Sequence, residues 1–271
     1  MWIAQISDTH VKAKNVRLFG EIDVYDHFAK LVACIEALDP KPDIVLHTGD
    51  ITNDGEAADF EVAVECLSRL SMPVIITMGN HDRRETARAA LGHLPGIPRQ
   101  GRFAYSIEDY PVRIVMADTL VEGVSAGELG AGQLRWLNET LAAQPDKPTF
   151  VGLHHPPFDT GIGFMDRIGL RDRSELAAVI SRHRQVKRVL AGHVHRPFTA
   201  AFGGTIAMTC PGAAHQVVAD FTPDGSEKWN PDPPGFLLHH WTGTEVISIV
   251  LPVESAPPRP FSSDHTTIEQ T

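Results

Sequence analysis

The chain of 271 residues holds only three cysteines, Cys34, Cys66 and Cys210, widely spaced and odd in number. None stands in C-x-x-C spacing, which argues against a zinc knuckle and a dithiol redox pair. Cys34 and Cys66 fall inside helical patterns as small core residues, and this usage fits a reducing cytoplasm. No uncharged apolar run approaches the roughly 18 residues that a membrane span requires, and no basic segment followed by a long apolar run opens the chain. The expectation is a cytoplasmic chain with no membrane contact. Positive charge is also short: 24 Lys and Arg against 34 Asp and Glu leave a net charge of -10 and a pI near 5.7. That balance disfavours nucleic acid as a partner, because backbone binding depends on cationic side chains that displace counterions. A local cationic site remains compatible with it, particularly one charged by metal ions. There is no internal repeat and no linker, so the sequence predicts one domain over residues 1–251 and a flexible tail over 252–271.

What is present is an alternation of strand and helix patterns. Phe28, Leu31, Val32, Ile35 and Leu38 share one helical face. So do Phe60, Ala63, Val64 and Leu67, then Leu134, Leu137 and Leu141, then Leu176, Val179 and Ile180, giving at least four amphipathic helices. Between them run "DIVLHTGD", "PVIITMGNHD", "VRIVMADT", "TFVGLHHPP" and "VKRVLAGHVHRP", each the length of a buried strand and closed by Gly, Pro or Asp. This is layered α/β architecture, with helices covering largely buried sheets. After His195, "TIAMTC", "FLLHHW" and "VISIVL" lack a clear intervening helix and read as antiparallel strands that finish the sheet. The Pro- and Asp-rich loop over 222–235 can overhang a site as a cap or meet another subunit. The runs "HDRRETAR", "RIGLRDR" and "SRHRQVKR" read as solvated helix faces or ends.

The strand ends share a composition. The first closes on Asp8 and His10, and the next on Gly49-Asp50. The others close on Gly79-Asn80-His81-Asp82, on His154-His155, and on Gly192-His193-Val194-His195. In open α/β sheets ligands bind beyond the carboxyl ends of strands, so residues distant in sequence would meet at one rim. The preceding glycines would let the chain turn sharply and approach an ion. Taken singly, Asp50 and Asn80 read equally well as helix caps or turn residues, and the histidines as hydrogen-bonded core residues. The ordered set is far more specific than any member.

"DTH", "GD", "GNHD", "HHP" and "GHVH", in this order over residues 8–195, resemble the signatures of the calcineurin-like metallophosphoesterase superfamily. "GELGAGQLRWLNETL", "MDRIGLRDRSEL" and "PGAAHQV" extend the likeness to class III cyclic-nucleotide phosphodiesterases and binuclear glycerophosphodiesterases. The resemblance implies a β-sandwich of mixed sheets flanked by α-helices. It implies one metal held by Asp8, His10, Asp50 and His195 and a second held by Asp50, Asn80, His154 and His193, with Asp50 bridging; His155 is outside this ligand set. Two ions about 3.5–4 Å apart share a water, lower its pKa toward 7 and clamp the attacking and leaving oxygens, so a metal-bound hydroxide is the nucleophile. Carboxylate, amide and imidazole ligands without thiolate suit two divalent or mixed-valence ions of manganese, iron, cobalt or zinc. Purple acid phosphatases place a tyrosine three residues after the bridging aspartate; Asn53 stands there, so no tyrosinate colour is expected.

By the same resemblance, Asn80 and His81 lie beside the substrate. His81 is free either to protonate the leaving alkoxide, alongside Asp50 as a catalytic residue, or to orient Asn80 or Asp8 through a hydrogen bond. His215 in "PGAAHQV" is either a substrate-binding residue or a loop residue bonded to backbone. The expected substrate is a small phosphodiester of glycerol or alkyl type, met in a pocket of Leu18, Phe19, Met165, Asp166 and His215 that lacks an obvious aromatic pair for a purine. The alternatives are cyclic AMP, a phosphomonoester or nuclease substrate on the same scaffold, and a noncatalytic interaction module. Family likeness further implies a homo-oligomer, with the late strands or the 222–235 loop at the contact.

Overall fold

The computed structural model describes residues 1–255. In chain order the elements are β1 (Trp2–Ile6), α1 (Val24–Glu36), β2 (Ile44–His47), α2 (Ala57–Leu67), β3 (Val74–Ile76), α3 (Arg84–Leu91), β4 (Tyr105–Ile107) and β5 (Arg113–Met116). There follow α4 (Gly130–Ala142), β6 (Thr149–Gly152), α5 (Gly163–Arg167), α6 (Arg173–Ile180), β7 (Val186–Ala191), β8 (Thr199–Phe202) and β9 (Thr205–Thr209). The chain closes with β10 (Gln216–Val217), β11 (Trp229–Asn230), β12 (Gly235–Trp241) and β13 (Val246–Pro252).

Two mixed sheets stack face to face, one ordered β13-β12-β1-β2-β3 and the other β4-β5-β6-β7-β9-β8. Strands β1, β2 and β3 are parallel, as are β5, β6, β7 and β9. The layer between the sheets is apolar, with Ile3, Ile44, Leu46 and Ile75 meeting Ile114, Met116, Phe150 and Leu190. The outer face of the first sheet packs under α1 and α2, whose buried stripes include Phe28, Leu31, Phe60 and Ala63. That of the second packs under α4 and α6 through Leu137, Leu141, Leu176 and Ile180. Strands buried on both faces explain why the sequence shows continuous apolar runs rather than alternation. The helices start where local chemistry allows: the Asp23 carboxylate accepts from the Asp26 N–H at 3.1 Å, and Asp172 accepts from the N–H groups of Leu129 and Gly130 at the start of α4.

Two readings of the sequence need correction. "TIAMTC" became β9, which runs parallel to β7 rather than antiparallel, because β8 makes the return and hands β9 back in register with Arg188–Ala191. Arg84, in the run "HDRRETAR", is not solvated: its guanidinium grips the buried Asp118 carboxylate at 2.7 and 2.8 Å. The 222–235 loop is tied to its own chain, since Arg167 donates to the carbonyls of Pro223 and Gly225 and Arg196 to Asp232. Of the expected tail, Val253 is buried and its N–H donates to the Pro234 carbonyl, while 256–271 lie outside the described residues. Among the described residues no helix is long and apolar enough to cross a membrane.

Candidate metal centre

The parallel strands of both sheets present their carboxyl ends at one rim, and short bonds join the two rims. The His193 N–H donates to the Asp8 carboxylate at 3.1 Å, His154 Nδ1 to the Thr48 carbonyl at 2.7 Å, and the Thr77 hydroxyl to the Ala117 carbonyl at 2.9 Å. Two groups of buried donors result: Asp8, His10, Asp50 and His195, and His154, His155 and His193. Asp50 Oδ2 joins them, 3.6 Å from His10 Nε2 and 3.3 Å from His154 Nε2. Asn80 Oδ1 lies 3.2 Å from the same His154 nitrogen.

The tautomers show what the centre is built to hold. His10 Nδ1 donates to Asn53 Oδ1, His154 Nδ1 to the Thr48 carbonyl and His195 Nδ1 to the His215 carbonyl. With Nδ1 so committed, each of these rings turns its Nε2 inward, while His193, whose Nε2 donates to the Ile168 carbonyl, turns its Nδ1 inward instead. His10 Nε2 and His195 Nε2 face each other at 3.1 Å beside Asp8 and Asp50, an arrangement of acceptors that a cation would satisfy. His155 differs: its Nδ1 meets the Thr119 hydroxyl at 2.8 Å and its Nε2 donates to the Ser125 carbonyl at 2.9 Å, so neither nitrogen is spare.

Electrostatics agree with the geometry. Burial, then the neighbouring His81, pushes the His10 imidazole well below its ordinary pKa, and burial with His155 does the same to His193. Burial also works against charge on His154, but the touching Asp50 carboxylate outweighs it and raises the group to about 9. The field that would hold a proton there would equally hold a metal ion.

Five of these side chains sit on backbone that L-residues seldom adopt, with φ of 55° at Asp8, 42° at His10, 49° at Asp50, 71° at His193 and 52° at His195. Asp and His tolerate the left-handed region better than most residues, so the donor types also suit the bends. Gly49, with a φ of 97°, makes the sharp turn read in the sequence, whereas Gly79 and Gly192 make room for neighbouring side chains. A Cβ on Gly79 would stand 2.1 Å from Asp50 Oδ1, and one on Gly192 would stand 2.0 Å from Ser7 Oγ.

Sequence reasoning quoted Asp82 but gave it no role. Its buried carboxylate accepts from the N–H groups of Ile51, Thr52 and Gly79 and from the Thr52 hydroxyl, tying the Asp50 bend to the Asn80 bend. Burial, then Asp50, raises its pKa to about 6. Beside the centre, the His81 N–H donates to Asp50 Oδ1 at 2.8 Å and its Nδ1 to the Asn53 carbonyl at 2.8 Å. His215 packs 4.4 Å from the His195 ring and 5.2 Å from His10, and its buried Nδ1 has no partner among the described residues. Asp166 is spent on the N–H groups of Thr160 and Gly161, and Met165 is buried with Ile162 and Val194, so neither is a free pocket side chain. Sequence reasoning also missed Trp229, on which Phe19 stacks at 4.9 Å, too close for a purine to enter between the rings. The two are 210 positions apart, and only folding brings them together.

Residues 1–197 match the calcineurin-like phosphoesterase family. The chain belongs to that family. It is 33% identical over 243 residues to a probable glycerophosphodiester phosphodiesterase of Arcobacter nitrofigilis, covering 89% of each chain. It is 34% identical over 236 residues to a probable cyclic nucleotide phosphodiesterase of Rhodopseudomonas palustris, covering 85% of each. A dimetal phosphatase from Danio rerio has the same fold, with a TM-score of 0.68 at 14% identity over 92% of this chain and 98% of that one.

Proposed function

We propose that the protein hydrolyses small phosphodiesters of glycerol or alkyl type in one catalytic unit over residues 1–251. The class follows from the family and the paired donor groups: it is a metal-dependent phosphoric diester hydrolase. Asp8, His10, Asp50 and His195 would hold one ion, and Asp50, Asn80, His154 and His193 the other. When bound, two such ions would lower the pKa of a water between them and draw charge from the phosphoryl oxygens. Manganese, iron, cobalt and zinc all suit the oxygen and imidazole donors.

The chain's own residues supply the rest. Asp82 fixes the separation of the bends that carry Asp50 and Asn80. His81, with Nδ1 committed to Asn53, keeps Nε2 for a phosphoryl oxygen or for the proton that a departing alkoxide needs; burial works against its charge, but Asp50 outweighs this and raises its pKa. The observation that carries the substrate reading is the unpartnered Nδ1 of His215, a buried polar atom one ring from His10 and suited to a hydroxyl of a small alcohol.

A second reading, 3',5'-cyclic-nucleotide hydrolysis, is favoured by the Phe19–Trp229 stack beside His215. Comparing kcat/KM for glycerophosphoethanolamine, cyclic AMP and a matched phosphomonoester in manganese-loaded protein separates the readings. An advantage for the first is expected; an advantage for cyclic AMP overturns the substrate preference, and one for the monoester overturns diester hydrolysis itself. A homo-oligomer through the late strands is supported by β13, a sheet-edge strand on which Ile247 and Ile249 are exposed; light scattering that finds only monomer removes it.

A further inference from the structure

We propose that Phe19 and Trp229 form an aromatic wall for the second ester group of the diester, opposite the glycerol-type alcohol that His215 meets, and that this wall favours a flat apolar body of aryl type. The inference rests on the phosphodiesterase reading and adds a specificity determinant to it.

Phe19 has a φ of 53°, a conformation in which a bulky side chain is a true outlier. A tight turn holds it there: the N–H of Leu18 donates to the Ile22 carbonyl, that of Ile22 to Leu18, and that of Gly20 to Arg17. The strained residue is not serving the core, because 53% of its surface is exposed. Outliers of this kind cluster at ligand-binding sites.

The ring is also held from the far end of the chain. Trp229, on β11, stacks against it at 4.9 Å with 20° between the planes, and is itself backed by Leu18, Ile22 and Ala214. Both rings stand edge-on to His215, with centroids 5.3 and 6.1 Å away, and His215 lies 5.2 Å from His10. The wall thus begins one ring away from the donor cluster, within reach of an ester group whose phosphorus sits there. A stacked pair whose outer ring, Phe19, is half exposed attracts flat apolar groups through offset or edge contacts. His215 Nδ1 offers a polar corner beside it, so the two alcohols of one diester would meet unlike surfaces.

The test fixes the leaving group and varies the retained one. Methyl and phenyl 4-nitrophenyl phosphate both release nitrophenolate, so the ratio of their kcat/KM values, compared between proteins, reports the retained ester group. In Phe19→Ala and Trp229→Ala the wild-type preference for phenyl should fall about tenfold, the scale of one aromatic pair. The methyl substrate should lose far less than the phenyl one, the metal content should hold, and Trp229→Phe should restore much of the preference. A ratio at the wild-type value in both alanine variants overturns the wall, and so does an equal fall for both substrates, which would make the stack a structural prop. Should the metal-loaded wild type cleave neither substrate, the diesterase reading fails separately. The wall is then decided by binding: phenylphosphonate, but not methylphosphonate, should quench intrinsic fluorescence, and Trp229→Phe should abolish the effect.

Discussion

Asp50 is the residue on which both donor groups depend, since one of its oxygens lies within 3.6 Å of His10 and 3.3 Å of His154 while the other accepts the His81 N–H. Asp50→Ala should therefore remove both metals and lower the rate by more than the roughly 10–100-fold typical of losing an outer partner. Asn80→Ala, at the edge of one group, should leave one ion bound. Metal analysis of the two purified variants checks this, and two full equivalents in each would refute the ligand assignment. His81 invites a different measurement because its Nδ1 is committed to Asn53. If Nε2 protonates the leaving group, His81→Ala should cost about 10²–10⁴ with a glycerol leaving group and far less with nitrophenolate, which departs without a proton. Equal losses on both, at normal metal content, would make His81 an orienting residue instead.

Strands set the site by where they stop, and their middles set the stability of the sandwich. His239, in the middle of β12, shows the second role: it is fully buried between the sheets, where its Nε2 donates to Gln5 Oε1 and its Nδ1 accepts from the Ser248 hydroxyl. Burial, with Arg188 nearby, pushes its pKa down to about 3. The unfolded chain takes up a proton on this residue below about 6.5, whereas the folded chain does not until near 3. Stability is therefore unaffected by this group above 6.5 and falls as the pH drops through that window, by up to about 1.4 kcal/mol per pH unit. Urea unfolding at pH 7.5 and 5.5 should show the loss in wild type and a smaller one in His239→Gln. An unchanged slope in the variant would assign the acid limb to other groups.

For the whole molecule, five residues with positive φ at three strand ends converge on buried carboxylates and facing imidazoles, and each such backbone residue costs on the order of 1–3 kcal/mol. A cation that binds only the folded chain offsets this. Chelation should lower Tm by several degrees and manganese should restore it in a concentration-dependent way. Asp50→Ala should abolish the manganese response, and thermal scans that ignore metal altogether would remove the metal centre from the reading.

Much of this was legible beforehand because its causes are local. Apolar runs of strand length, helical stripes such as Phe28-Leu31-Val32-Ile35, and donors placed after strand ends are properties of neighbouring residues. Parallel strands then bring their carboxyl ends to one rim, so the order of motifs from Asp8 to His195 already pointed to a shared centre. What the tertiary structure decided involves partners with no fixed spacing. The resemblance already left His155 out of the ligand set, but only folding shows that Thr119 and Ser125 take both its nitrogens. Asp82 acquires a role only when two bends meet across it, and Phe19 finds Trp229 only after β10 and β11 fold back over the first loop. Sequence by itself determined which groups could act and on which strand ends they stand. Which nitrogens stay free, and which rings share a wall, depended on contacts between residues far apart in the chain, where packing and hydrogen bonding leave no periodic trace.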